Sequence, residues 1–188
     1  MSKVGAVRSL EYGSESRGER IDAPLVQRLQ YAADGLLMAE IGDTCVAIWR
    51  VRPTPFLFDL QANALEEAIH RNPDPIGFLC IVEETARPPS DEVRKASVAM
   101  LVSQRAHLAC VAGVVVGCGF GAAIVRSVLA GMAFMLKRHD FPFIFTDTPE
   151  HAVNWMSRYL ALGTPASFCS ALEAYRASLL NSSNISTR

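Results

Sequence analysis

The chain has 188 residues, of which 50% are hydrophobic, and its 18 Lys and Arg nearly balance its 19 Asp and Glu. This length fits one domain with appended ends and is enough to bury a sizeable core. The balanced charge lacks the basic field that nucleic acid and anionic membrane surfaces select, so the composition argues against both as partners. The polar N-terminus has no apolar segment of the kind that directs secretion, and we expect a cytoplasmic protein.

The cysteines and histidines form no recognisable chemical motif. The cysteines are scattered without a Cys-x-x-Cys pair, and no spacing of His, Cys, Asp and Glu is typical of a metal site. Single cysteines in a chain without an export signal are typical of buried, reduced thiols. We therefore expect no metal and no cofactor. Only Cys118 has a setting that suggests a reactive thiol, because it lies in a glycine turn ahead of a predicted helix, where a thiolate would be stabilised.

The N-terminal part of the chain predicts an arm followed by a β-hairpin. Residues 1–35 are polar and rich in mixed charge, with a possible short helix over 24–33. Two apolar runs follow, 36–41 and 44–51, and the Gly42-Asp43 pair between them suits a tight turn. Both faces of the second run are largely apolar, which places it well inside a sheet.

Helix start and stop signals then divide the chain into alternating helices and strands. Thr54 is a good N-cap and Pro55 suits the first helical position, which predicts a helix over 55–72. The continuous apolar run 76–82 predicts a central strand, and Ser90 is placed to cap a helix over 91–105.

The most apolar stretch, 106–136, allows two interpretations. Residues 108–125 are uncharged over a length that can span a bilayer, and Gly113, Gly117 and Gly121 follow the spacing that lets membrane helices approach closely. Alternatively, 108–116 is a Val-rich strand, the glycines at 117–121 reverse the chain, and 121–138 is a helix. We favour the second interpretation, because the apolar run continues to residue 136 and three glycines break it.

The last part predicts a short strand at 143–146 and helices over 150–162 and 166–180. The expected fold class is α/β: a single mostly parallel or mixed sheet of about five strands covered by helices. We expect the domain to cover 36–162, with an N-terminal arm over 1–35 and a helix and polar tail over 163–188.

Three segments of the chain form a recognisable set: the strand 108–116, the Gly-Phe-Gly-Ala-Ala-Ile-Val-Arg-Ser-Val segment at 119–128, and the ending 143–156 with its acidic helix start and Ala-x-x-Trp helix. In these segments the chain resembles the SpoIIAA-like group of the STAS (anti-sigma-factor-antagonist) superfamily. The resemblance covers about 36–162. It implies a small α/β domain that acts in regulation or protein contact, and some relatives are described by analogy with lipid-transfer domains.

One departure from that family concerns its phosphoacceptor motif, an Asp-Ser-Ser/Thr-Gly-like sequence that precedes a helix. The corresponding loop here is 83–91, where Ser90 lies near the expected place without the motif. Its role as a helix cap explains Ser90 as well, so both roles stay open. A phosphate on Ser90 would add charge at a helix N-terminus and so tune partner binding.

Two further surfaces are candidate sites. The loop that carries Glu83, Glu84 and Arg87 follows a central strand, and in open α/β sheets ligands bind beyond the carboxyl ends of strands. The turn with Gly117, Gly119 and Gly121 leads into a helix N-terminus, a geometry that can hold an anion, and Arg126 is a candidate anion or partner contact in that helix. Each surface also has an ordinary interpretation: the loop 83–91 can be a solvated loop, and Arg126 can simply pack at a helix contact.

The sequence holds no nucleophile elbow, dinucleotide fingerprint or Walker A lysine. The leading expectation is a non-enzymatic regulatory module that binds a protein partner or itself. The alternative is a small-molecule or lipid binder with an apolar pocket between the sheet and helices 55–72 and 121–138. A third, less favoured expectation is an integral membrane protein that spans the bilayer through 108–136.

Overall fold

One six-stranded sheet organises the molecule. The computed structural model describes residues 25–33, 35–136 and 142–183. The spatial order of the strands is the same as their order in the chain. The strands β1 to β3 are antiparallel neighbours, and β3 to β6 run parallel. The strands are β1 Gln27–Ala33, β2 Leu36–Ile41, β3 Thr44–Trp49, β4 Ile76–Val82, β5 Leu108–Val115 and β6 Phe143–Thr146.

Helices cover both faces of the sheet. The three parallel crossovers carry α1 (Pro55–Arg71), α2 (Asp91–Ser103) and α3 (Phe120–Leu136), and a short 3-10 turn follows α2 at Arg105–His107. Because these crossovers all step in the same direction along the sheet and share one hand, their helices lie on the same face. The opposite face is covered by α4 (Pro149–Met156) and α5 (Pro165–Ser183).

Each face has its own hydrophobic core, and β3 shows how the sequence builds both. Cys45, Ala47 and Trp49 pack toward α1, whereas Val46 and Ile48 pack toward α4 and α5. All five side chains are buried. The expectation that this strand lies deep in the sheet is confirmed, as is the α/β fold class with one mixed sheet covered by helices.

The predicted helix starts are confirmed by their caps. The Thr54 hydroxyl accepts a hydrogen bond from the backbone N–H of Leu57, and the Ser90 hydroxyl accepts one from Val93. Both satisfy a first-turn N–H that has no partner within its own helix.

Some predicted elements are wrong or differ in extent. Residues 27–33 form strand β1 and not a helix, so the sheet has six strands where about five were expected. Pairing with the buried strand β2 outweighs the helix-like spacing of Leu25, Leu29 and Ala32. The helix predicted over 150–162 ends at Met156, and that predicted over 166–180 runs from Pro165 to Ser183. Most of the predicted arm, 1–24, and residues 137–141 and 184–188 lie outside the described part.

The apolar stretch 106–136 consists of a strand, a turn and a helix. Strand β5 ends at Val115, and α3 begins at Phe120. Between them, Gly117 and Gly119 have φ values of 98° and 93°, where side chains with a Cβ are strained. The alternative of one transmembrane helix from 108 is therefore wrong. Within the described ranges, no helix has the length and apolar character needed to cross a bilayer.

Candidate functional site

A cavity lies between the sheet and the three helices α1, α2 and α3. Its free volume is about 90 Å³, counted as the space open to the centre of a water molecule. Since one water needs about 10–15 Å³ of such volume, roughly six waters or a ligand of about ten non-hydrogen atoms would fit. The lining side chains are mostly apolar and come from β3 to β6 and all three helices. They include Trp49, Phe58, Phe78, Cys80, Val111, Val125, Leu129, Met132, Phe143 and Phe145.

Small residues at the centre of the sheet create the space. Cys80 on β4 is the register partner of Gly113 on β5, and Gly113 is in turn the partner of Phe145 on β6. Both central positions face the helices, where larger side chains would fill the gap between sheet and helices. A Cβ at Gly113 would overlap the edge of the Phe145 ring, so the glycine is what lets this ring lie over β5.

One buried polar pair lies in the wall of the cavity. The Trp49 indole Nε1 donates a 2.8 Å hydrogen bond to the Gln61 Oε1. An indole N–H is a donor only, so this bond fixes the orientation of the Gln61 amide. Gln61 is 5% exposed and lines the cavity, and its Nε2 donates to none of the other described residues. The amide N–H groups are therefore available to an acceptor on a bound molecule.

Cys80 forms the part of the cavity wall that belongs to β4, and we infer that it does not act as a reactive thiolate. Its side chain keeps partial accessibility although β4 is a central strand, because it faces the cavity. Burial raises the pKa of the Cys80 thiol to about 12. The thiol is therefore protonated at neutral pH and acts as a small apolar group there.

The mouth of the cavity lies at the carboxyl ends of β3 and β4. Pro53 follows β3, Arg87 and Pro89 follow β4, and all three line the cavity. Arg87 is exposed, which identifies the solvent-facing end. A guanidinium at the rim of an apolar cavity provides a donor for an anionic or polar end group.

The predicted glycine turn is close to the cavity but is occupied by internal contacts. The Arg126 Nη2 donates to the carbonyl oxygens of Gly117 at 2.5 Å and of Val115 at 3.4 Å. The Glu84 side chain packs against Gly117, where an added Cβ would lie 2.9 Å from its carbons. Arg126 thus caps the end of β5, and a carboxylate beside the turn disfavours a phosphate there. A Cβ at Gly119 or Gly121 would meet no atom within 4 Å in the part of the chain that the structure describes.

Glu83, also predicted as part of a loop surface, is engaged in a structural ion pair. The Arg176 guanidinium on α5 donates to both of its carboxylate oxygens, from Nε at 2.6 Å and from Nη2 at 3.0 Å. This bidentate pair connects the end of β4 to α5. Glu84 and Ser90 are exposed, and the described contact of the Ser90 hydroxyl is its cap of α2. Of these four residues, Arg87 therefore lies at the cavity, whereas Glu83, Glu84 and Ser90 lie elsewhere.

Sequence reasoning missed the side chains that shape the cavity. It expected a pocket between the sheet and two of the helices, as an alternative, and named no residue for it. Gln61, Cys80, Gly113 and Phe145 occupy ordinary helix and strand positions in the sequence. The one available signal was Gly113, because a glycine inside a strand often marks a close approach by another group.

Among the described residues, no group of three or more His, Cys, Asp or Glu side chains is placed to hold a metal ion. Comparison with protein-family models, with curated proteins and with solved structures finds no significant match.

Proposed function

We propose that this protein is a non-enzymatic binding module that holds a small apolar molecule in the cavity between the sheet and α1–α3. The proposal is based on one observation: Cys80 and Gly113 form the sheet side of the cavity, and the Phe145 ring lies over the glycine. Well-packed cores leave few voids larger than a water molecule, and a cavity lined by apolar groups stays dry and binds apolar ligands.

The lining indicates the chemistry of the ligand. Its body is apolar and has about ten non-hydrogen atoms, in line with the 90 Å³ volume. The Nε2 of Gln61 suits a hydrogen-bond acceptor inside the cavity, and Arg87 suits an anionic end at the mouth. A medium-chain carboxylate provides the apolar body and the anionic end for Arg87.

The regulatory role implied by the STAS resemblance remains part of the proposal. A bound molecule would contact three helices and four strands at once, so its presence would bias how those elements pack. In this view, the packing of a cytoplasmic protein changes when its ligand binds, and a protein partner recognises the changed form. The glycine turn and Ser90 stay secondary candidates for such contacts.

Trp49 provides the test, because it lines the cavity whereas Trp155 packs on the opposite face of the sheet. In a Trp155→Phe protein, the emission of Trp49 is titrated with hexanol, heptanol, octanol and octanoate. We expect each added CH₂ to tighten binding roughly fourfold until the cavity is full, since burying a CH₂ yields about 0.8 kcal/mol. We also expect octanoate to bind more tightly than octanol, with the difference lost in Arg87→Gln. No change of Trp49 emission with any of these compounds would refute the proposal.

A further inference from the structure

The outer face of α3 is apolar although it lies in water. This face consists of Phe120, Ile124, Ser127, Gly131, Phe134 and Met135, all exposed. Phe120 is 84% and Phe134 66% exposed. The opposite face of the same helix, with Val125, Leu129 and Met132, lines the cavity. A helix that is apolar on all sides is normally buried on all sides, so this face needs a cover.

Gly131 indicates that the cover approaches closely. It lies in the middle of α3 with no positive φ, and an added Cβ would meet none of the described residues within 4 Å. Alanine is a better helix former than glycine, so nothing within the described chain explains the glycine. Close contact with another helix would explain it, because a missing side chain leaves a hole for a neighbouring one.

Four residues of this face are arranged symmetrically. Phe120 and Met135 are equally distant from a point between residues 127 and 128, and so are Ile124 and Gly131. In an antiparallel pair of α3 helices, Phe120 faces Met135 of the second copy and Ile124 faces Gly131 of the second copy. The small Ser127 lies at the crossing point.

We propose that the outer face of α3 docks on α3 of a second copy of this chain, antiparallel, with Ile124 of each copy seated over Gly131 of the other. A two-fold interface requires such a self-complementary patch. The face carries no charged side chain, because Arg126 turns inward to the carbonyl of Gly117. A lipid surface would not require the central glycine.

The exposed area sets the strength of the contact. The large side chains of this face leave roughly 500 Å² of apolar surface in water, so two copies would bury roughly 1,000 Å². That is at the lower end of specific interfaces. We therefore expect a reversible dimer whose population depends on concentration, in addition to the ligand binding proposed above.

The first test is sedimentation velocity from about 1 to 300 µM, in the range of a micromolar dissociation constant. The parent is expected to shift from 20.5 kDa toward twice that mass. Phe134→Ser should weaken the dimer at least tenfold, and Gly131→Leu, which favours helix formation, should do the same. Phe56→Ser is the matched control, because Phe56 on α1 is 65% exposed, and it should change nothing.

The second test fixes the orientation. In a Cys118→Ser background, Ser127→Cys is expected to form an intermolecular disulfide on oxidation, because this position lies at the crossing point. Phe120→Cys should not, because the two copies of this position would be about 22 Å apart along the helices. A parent that stays monomeric throughout, a Phe56→Ser effect equal to that of Phe134→Ser, or cross-linking through position 120 would overturn the proposal. So would a monomer that binds phosphatidylcholine vesicles and loses binding in Phe134→Ser.

Discussion

The ring of Phe145 lies directly over Gly113, so closely that a Cβ at position 113 would overlap the ring. These residues are register partners on β5 and β6. The contact fixes one side of the cavity, because Phe145 cannot keep this position over any residue with a side chain. The cavity therefore follows from the residues at these sheet positions and not from poor packing at the edge of the sheet.

This contact predicts that Gly113→Ala lowers the free energy of unfolding by about 1–3 kcal/mol, the usual range for overpacking a tight core. Urea unfolding measures the loss. Gly121→Ala in α3 is the control, since its added methyl group meets none of the described residues within 4 Å and alanine favours the helix by up to about 1 kcal/mol. Equal losses in both variants would contradict the account. The double variant Gly113→Ala with Phe145→Leu should recover part of the loss.

Filling the cavity should stabilise the protein. Cys80→Leu adds volume where space exists, and we expect the free energy of unfolding to rise by about 1 kcal/mol, as in other cavity-filling changes. Cys110→Leu makes the same change on the neighbouring strand, where Cys110 is fully buried in the core beneath α4 and α5. There we expect a loss of about 1–3 kcal/mol from overpacking. Thermal unfolding of the two variants measures the difference, and a loss of stability in Cys80→Leu as large as in Cys110→Leu would show that no usable space exists.

The buried thiols predict a loss of stability at alkaline pH. Burial raises the pKa of Cys80 and of Cys110 from 9.0 to about 12, and it raises that of Cys45 as well. Above pH 9 the unfolded chain therefore binds fewer protons than the native protein, so the free energy of unfolding falls as the pH rises toward 12. Each thiol contributes a slope of about 1.4 kcal/mol per pH unit in that window.

Urea unfolding at several pH values between 9 and 12 checks this slope. Cys80→Ala removes one titrating group and should make the decline shallower by about 1.4 kcal/mol per pH unit. Val111→Ala, which removes apolar volume from the same cavity without a titrating group, should lower stability at every pH by a similar amount and keep the slope. The same slope in Cys80→Ala and the parent would contradict the prediction.

The ion pair between Arg176 and Glu83 should stabilise the attachment of α5. Arg176→Gln leaves a carboxylate whose side chain is only 14% exposed without its bidentate partner. We expect a loss of about 2 kcal/mol, less than for a fully buried pair because both groups keep some contact with water. A double-mutant cycle with Glu83→Gln isolates the pair, and Arg158→Gln, on an exposed residue, is the control. No coupling between positions 83 and 176 would count against this role.

The sequence predicted those parts of the fold that depend on local signals. Thr54 and Pro55 define the start of α1, and the unbroken apolar run of β4 identifies a central strand, because capping and burial on both faces leave a pattern in neighbouring residues. Strand β1 was missed since Leu25, Leu29 and Ala32 imitate helical spacing, while the pairing that decides its state comes from β2.

The candidate site was less predictable because it depends on register. That Cys80 lies opposite Gly113, and Gly113 opposite Phe145, follows only once three strands are aligned. The strand order is also consecutive, so the sheet lacks the reversal that opens a crevice beyond the strand ends in doubly wound folds. This explains why the glycine turn at 117–121 is filled by Arg126 and Glu84, while the space lies beneath the helices.

The most direct test of the central claim is the titration of Trp49 emission with 1-octanol in the Trp155→Phe protein and in the Trp155→Phe, Cys80→Leu protein. The account predicts saturable binding by the first protein and at least tenfold weaker binding by the second, because the leucine occupies the same space. Equal binding by both proteins would place the alcohol elsewhere, and the absence of saturable binding by the first would contradict the cavity as a ligand site.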